Sequence, residues 1–341
     1  MKLIFLVILN ITLLISENAF AQSKYSAGFI EIDKAAEAGI KMGLWYPSNE
    51  KEISRKWGPF RPEFAWEGNP ASGTFPIIVL SHGIMGRYRN HRGTAATLAR
   101  SGYVVVVPQH TEDRWVRTKR IVSAIEHRVE ELKMAIQIVT AHEGIGNIVD
   151  ANRIGAIGYS LGTLTVLKAG GSQPGIVRYN THCEKHASVD KNFCAEAPWW
   201  QKLLLWFKDK GLSVKDEFSP TKAPMKFRAI ALVAPIGAVF PEKEISKIKS
   251  RVAIYRLEDD QELKHPFHAE YLSKLLNKSD LEYKAYKGVH HYAFISPFPT
   301  WLLEKEYIPV AIDPEGFDRE SFLKGINEDI VSFFQRNMPV K

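Results

Sequence analysis

The chain has 341 residues, 45% of them apolar and 24% charged, with 2 cysteines and a formal charge of +7. That composition suits a globular protein with one sizeable core and excludes fibrous, low-complexity and wholly disordered classes. The basic residues are scattered among Asp and Glu, without the basic stripe interleaved with aromatics that a nucleic-acid surface needs, so nucleic acid is not an expected partner.

The N-terminus reads as a signal peptide over residues 1–21. Lys2 supplies the positive flank, residues 3–15 the apolar stretch, and Ala19-Phe20-Ala21 the small-x-small cleavage site. The apolar stretch is broken by Asn10 and Thr12 and falls short of the ~20 residues that cross a bilayer, so no transmembrane span is expected in the mature chain, although peripheral membrane contact is compatible with its charge. No cysteine follows Ala21, which excludes lipid attachment there. Export to the periplasm or medium would place Cys183 and Cys194 in an oxidising compartment where they can join; closing so short a loop contributes about 3 kcal/mol in the chain-entropy model. The other readings of the pair are free buried thiols, or half a metal site with His182 and His186, whose spacing fits no common zinc pattern.

In the mature chain, residues 27–33 and 40–47 read as an antiparallel strand pair, followed by a polar connection over 48–74. Residues 75–80 and 103–107 are continuous apolar runs of strand length, the mark of strands buried on both faces. Helices are expected over about 91–99 and 119–142, then a strand over 153–157. Further strands are expected at 229–234, 251–257 and 281–286, and a C-terminal amphipathic helix at 317–336. Strands alternating with helices predict a mostly parallel sheet of about eight strands with helices on both faces, in a single domain over 22–341. The alternation breaks at about 171–226, a cap-like insertion that carries both cysteines, Trp199, Trp200 and Trp206.

The chemistry centres on Gly158-Tyr159-Ser160-Leu161-Gly162, at the end of an apolar run and the start of a helical one. Gly-x-Ser-x-Gly in that setting is a nucleophile elbow: the turn is so sharp that neighbouring positions must be small, and the serine is lifted clear of the sheet. A serine needs a base to take its proton and a carboxylate to orient the base, and in this fold they follow in the order Ser, acid, His. Candidates stand at two strand ends: the acidic run Glu258-Asp259-Asp260, and His290-His291 after Gly288. The oxyanion of a tetrahedral intermediate needs two backbone N–H groups. Leu161, directly after the serine, should supply one, and Ile84, after Gly83 in the loop Ser81-His82-Gly83, the other. His82 precedes the serine, and a role bracing that loop is expected of it.

This combination of Leu80-Ser81-His82-Gly83, the elbow, the acidic strand end and Gly288-Val289-His290-His291-Tyr292-Ala293-Phe294 resembles the α/β-hydrolase superfamily, and within it exported dienelactone hydrolase-like and platelet-activating factor acetylhydrolase-like esterases. The resemblance implies an α/β-hydrolase fold with Ser160 as nucleophile, His291 as base and Asp260 as acid, and leaves Asp259 and His290 as runners-up. True dienelactone hydrolases carry cysteine as nucleophile, so Ser160 departs from that reaction. The expected function is cleavage of a small-molecule or lipid carboxylic ester through an acyl-enzyme, needing no cofactor or metal. The alternatives are an amidase or peptidase on the same residues, or a non-catalytic binding module presenting its tryptophans.

Overall fold

In the computed structural model, which describes residues 24–33, 40–111, 121–194 and 218–341, the apolar runs become the strands of one sheet. The expected antiparallel pair forms as β1 (Ser26–Asp33) and β2 (Lys41–Ser48). The connection after it is more ordered than its polar composition predicts, for it holds β3 (Ile53–Ser54) and β4 (Glu63–Trp66), with β4 pairing parallel to β1. The cause is aromatic packing: Trp57 and Phe64 are buried, with ring centroids 4.8 and 5.2 Å from that of Phe29. Anchors this far apart leave no period of 2 or 3.6 in the sequence.

The remaining strands are β5 (Phe75–Ser81), β6 (Val104–Pro108), β7 (Val149–Tyr159), β8 (Ala229–Val233), β9 (Arg251–Leu257) and β10 (Leu281–Tyr286). The sheet runs β10-β9-β8-β7-β5-β6-β2-β1-β4-β3, ten strands where about eight were expected, β3 and β4 being the addition. Every neighbouring pair from β10 to β6 is parallel, and β2 lies antiparallel on β6.

Among the described residues the longer helices are α1 (Arg92–Arg100), α2 (Ile121–Thr140), α3 (Leu161–Ala169), α4 (Ile176–His186), α5 (Ala269–Leu275) and α6 (Arg319–Asn337). Successive residues of a strand point to opposite faces, so each central strand feeds two cores. Ile78 and Leu80 join Leu98 of α1 and Ile326 and Phe334 of α6, whereas Ile77 and Val79 join Leu132 of α2 and Leu167 of α3. Each such fully buried aliphatic side chain stabilises the fold by about 1.5–3 kcal/mol, which is why these strands read as unbroken apolar runs.

The chain passes from β5 to β6 on one side and then crosses back to β7 on the other, so the order reverses at β5. Ligands in open α/β sheets bind beyond the carboxyl ends of the strands at such a reversal. Ser81, the last residue of β5, pairs in register with Gly158 of β7, which sets the two loops that follow side by side. No described helix is long and apolar enough to cross a membrane; the expected signal peptide at 1–21 lies outside the described residues.

Candidate active site

Ser160 stands between β7 and α3 with φ 51° and ψ −122°, a left-handed conformation that a non-glycine residue adopts only when its surroundings impose it. The constraint is visible on both sides. Ser160 N–H donates to the Val233 carbonyl at 3.1 Å, and its own carbonyl accepts from Thr163 N–H at 2.9 Å and Thr163 Oγ1 at 2.6 Å. The flanking glycines are obligatory: a Cβ on Gly162 would sit 1.9 Å from the Ser81 carbonyl oxygen, and one on Gly158 2.6 Å from Thr163 Cα.

His291 opens a short 3-10 turn after β10, and its Nε2 lies 3.0 Å from Ser160 Oγ. Its Nδ1 lies 2.7 Å from Asp260 Oδ2, beyond β9. The other oxygen of Asp260 accepts the N–H groups of Glu262 and Leu263 at 2.8 and 2.9 Å, so the carboxylate is held by its own loop. Tyr159 O–H donates to the His291 carbonyl at 2.9 Å and fixes the backbone beneath the ring. Ser160, Asp260 and His291 are all buried. The runners-up stand apart from this trio. Asp259 is exposed, and His290 Nε2 meets Asp313 Oδ1 at 2.9 Å, a carboxylate also held by Arg319.

Leu161 is the first residue of α3, so its N–H has no acceptor within the helix. Ile84 follows Gly83 in the facing loop, and Gly83, Ile84, Leu161, Ser160 and His291 all border one cavity of about 790 Å³. His82 does brace this loop: its Nδ1–H donates to the Gly83 carbonyl at 2.8 Å and its Nε2 accepts from His110 N–H at 3.2 Å. Burial holds its ring pKa well below the usual value, so it stays neutral.

A larger part of the brace escaped sequence reasoning. Arg128 of α2, with no exposed surface, donates to the His82 carbonyl at 3.0 Å and the Gly83 carbonyl at 3.1 Å. Beside it, Ser81 Oγ lies 2.9 Å from His110 Nε2, and His110 Nδ1 lies 2.5 Å from Glu131 Oε2. Burial lowers the His110 pKa and raises that of Glu131. A signal existed: Arg128 and Glu131 lie three residues apart on the helix face that carries Ile125, Val129 and Leu132, where charged side chains are out of place unless they are partnered.

The described part of the insertion forms the far wall of the cavity with Ile176, Tyr179, Asn192, Phe193 and Phe218. Trp199, Trp200 and Trp206 lie outside the described residues. Cys183 and Cys194 are joined in a disulfide, which consumes both sulfurs and overturns the free-thiol and metal readings of that pair. His182 instead meets Asp190 Oδ2 at 2.8 Å. Asp190 has no exposed surface and also meets His268 Nε2 at 2.9 Å, and its Oδ1 accepts Lys264 N–H at 3.2 Å.

Residues 65–179, about a third of the chain, match the model of the dienelactone hydrolase family, a branch of the α/β-hydrolase superfamily. The chain has the α/β-hydrolase fold. The matched stretch runs from β4 into α4 and so covers the Gly83 loop, Arg128 and the elbow of this hydrolase, while Asp260 and His291 lie beyond it. No curated protein matches the sequence.

Proposed function

We propose that this hydrolase cleaves carboxylic esters through an acyl-enzyme on Ser160, with His291 as base and Asp260 as acid. The observation that carries the reading is the unbroken relay from Ser160 Oγ to His291 Nε2 at 3.0 Å and from His291 Nδ1 to Asp260 Oδ2 at 2.7 Å, opening on a cavity. Ser160 Oγ attacks the ester carbonyl carbon while its proton passes to His291 Nε2, and Asp260 stabilises the imidazolium that forms. The N–H groups of Leu161 and Ile84 hold the oxyanion, a contribution of roughly 10²–10³ in kcat per donor. Collapse of the intermediate expels the alcohol, which takes the proton from His291. Water then attacks the acyl-enzyme by the same steps in reverse order, releasing the acid and restoring Ser160.

In this reading the protein is exported after cleavage near Ala21 and works as one domain over 22–341, with the 171–226 insertion as a cap over the substrate. The Cys183–Cys194 disulfide supports an oxidising compartment. The test is a panel of p-nitrophenyl esters of increasing acyl length, with fluorophosphonate labelling as a direct probe of the nucleophile. Turnover and labelling are both expected and both should vanish in Ser160→Ala; turnover that survived the change would overturn the assignment. His291→Ala should cost ~10⁴-fold or more in kcat. His290→Ala should cost less than ~tenfold, since its ring is engaged with Asp313, and the reverse ranking would move the base to His290.

A further inference from the structure

The chemistry of the cavity wall points to a substrate charge. The described lining is aliphatic and aromatic, with Asn90, Asn180 and Asn192 as its amides, and it contains no lysine or arginine. Its histidines are His291 and His91; burial drives the His91 pKa down to about 3, so that ring is neutral. Among the described residues of the wall, the one carboxylate is Glu262.

Glu262 is fixed where it can matter. Its N–H donates to Asp260 Oδ1 at 2.8 Å, so its backbone is anchored to the carboxylate that orients His291. Its side chain accepts from Asn192 Nδ2 at 3.4 Å and from the Tyr292 hydroxyl, and both partners border the same cavity. Those partners are neutral, so the negative charge of Glu262 is held in place without being cancelled by them. Tyr292 registers it: burial and the neighbouring Glu262 carboxylate push its phenol up to about 12. A single carboxylate in a largely apolar wall attracts a cation and repels a second anion more strongly than it would in bulk water. The rings of Tyr179, Phe193, Phe218 and Tyr292 border the same cavity, and aromatic rings are groups to which an ammonium is attracted.

We propose that Glu262 is a specificity-determining residue that makes this cavity select esters bearing a cationic group, such as a quaternary ammonium, over neutral ones and disfavour esters bearing a carboxylate. The proposal rests on the esterase reading for its chemistry, but the preference itself is a property of binding. Three butyrate esters of matched size test it on the full mature protein: the choline ester, its uncharged 3,3-dimethylbutyl isostere, and the 4-carboxybutyl ester. In the wild type kcat/KM should fall in that order, by about tenfold at each step, and Glu262→Gln, which keeps the shape and the amide and phenol contacts, should bring the three within about threefold. Equal values for the choline and dimethylbutyl esters in the wild type would overturn the proposal, as would the wild-type order persisting in Glu262→Gln. The wild-type order needs no variant to fold. Calorimetry of the three matching non-hydrolysable ethers on Ser160→Ala protein reads the same preference without turnover. A failure of the esterase reading would therefore show as absent hydrolysis with the ether order intact, and a failure of this proposal as ethers bound without regard to charge.

Discussion

Two serine–histidine–carboxylate trios of nearly equal geometry stand on either side of the Gly83 loop. In one, Ser160 Oγ, His291 and Asp260 are joined by contacts of 3.0 and 2.7 Å; in the other, Ser81 Oγ, His110 and Glu131 are joined by contacts of 2.9 and 2.5 Å. Hydrogen-bond distance alone therefore does not separate the proposed nucleophile from a strut. What differs is access and backbone. Ser160 is thrust by a left-handed backbone onto the wall of a cavity beside the free end of α3. Ser81 is an ordinary β-strand residue with no exposed surface, in a trio that none of the cavity-lining residues belongs to. The buried trio and Arg128 hold the loop that faces the elbow, so one set of residue types serves as the proposed machinery and as its mounting.

Exchanging the serines should break the comparison most sharply. Ser160→Ala is expected to lower kcat by ~10⁵-fold or more. Ser81→Ala should leave kcat within ~threefold while costing about 1–3 kcal/mol of stability in denaturant unfolding, because His110 Nε2 loses its buried partner. Next in size is Arg128→Met, which releases the His82 and Gly83 carbonyls. With the loop no longer aimed, kcat should fall ~10²-fold at little change in KM, the loss expected for a misplaced oxyanion donor. Arg128→Lys should recover only part of it, since an ammonium lacks the planar fork that reaches both carbonyls; a loss confined to KM would show that the brace does not act through the oxyanion.

The last effect is one of pH. Burial lowers the His91 pKa from 6.5 to about 3, so the unfolded chain takes up a proton near pH 6.5 that the folded protein refuses until far lower. Stability from this group is complete above pH 6.5 and is lost as pH falls towards 3, by up to about 1.4 kcal/mol per pH unit. His91→Phe, whose ring can keep the packing on Tyr159 and Phe294, should flatten that part of the melting-temperature profile; an unchanged slope would mean that His82 and His110 carry the acid sensitivity.

The frame was legible because its signals are local. Unbroken apolar runs announced β5 and β6, and two glycines around Ser160 announced the elbow, each within a span that a short window covers. The proposed acid and base were legible as strand-end residues, although only the fold separates Asp260 from Asp259 in position, by turning one carboxylate to His291 and leaving the other exposed. The brace was not read because Arg128, His110 and Ser81 come together from α2, the end of β6 and the end of β5, and no sequence spacing records such a meeting. The ordered connection before β5 was missed for a related reason: Trp57 and Phe64 are anchored on Phe29 of β1 and Trp45 of β2, as well as on each other, and their spacing follows no strand or helix period.

Asp190 has a consequence for how this molecule could be rebuilt. It lies in the insertion, yet its carboxylate binds His268, ahead of α5, and the N–H of Lys264, in the loop that carries Asp260 and Glu262. The insertion is therefore not a detachable module. A chimera that exchanges it between relatives must carry Asp190, His268 and the 260–264 loop as one cassette, or the graft will arrive with its docking partner missing.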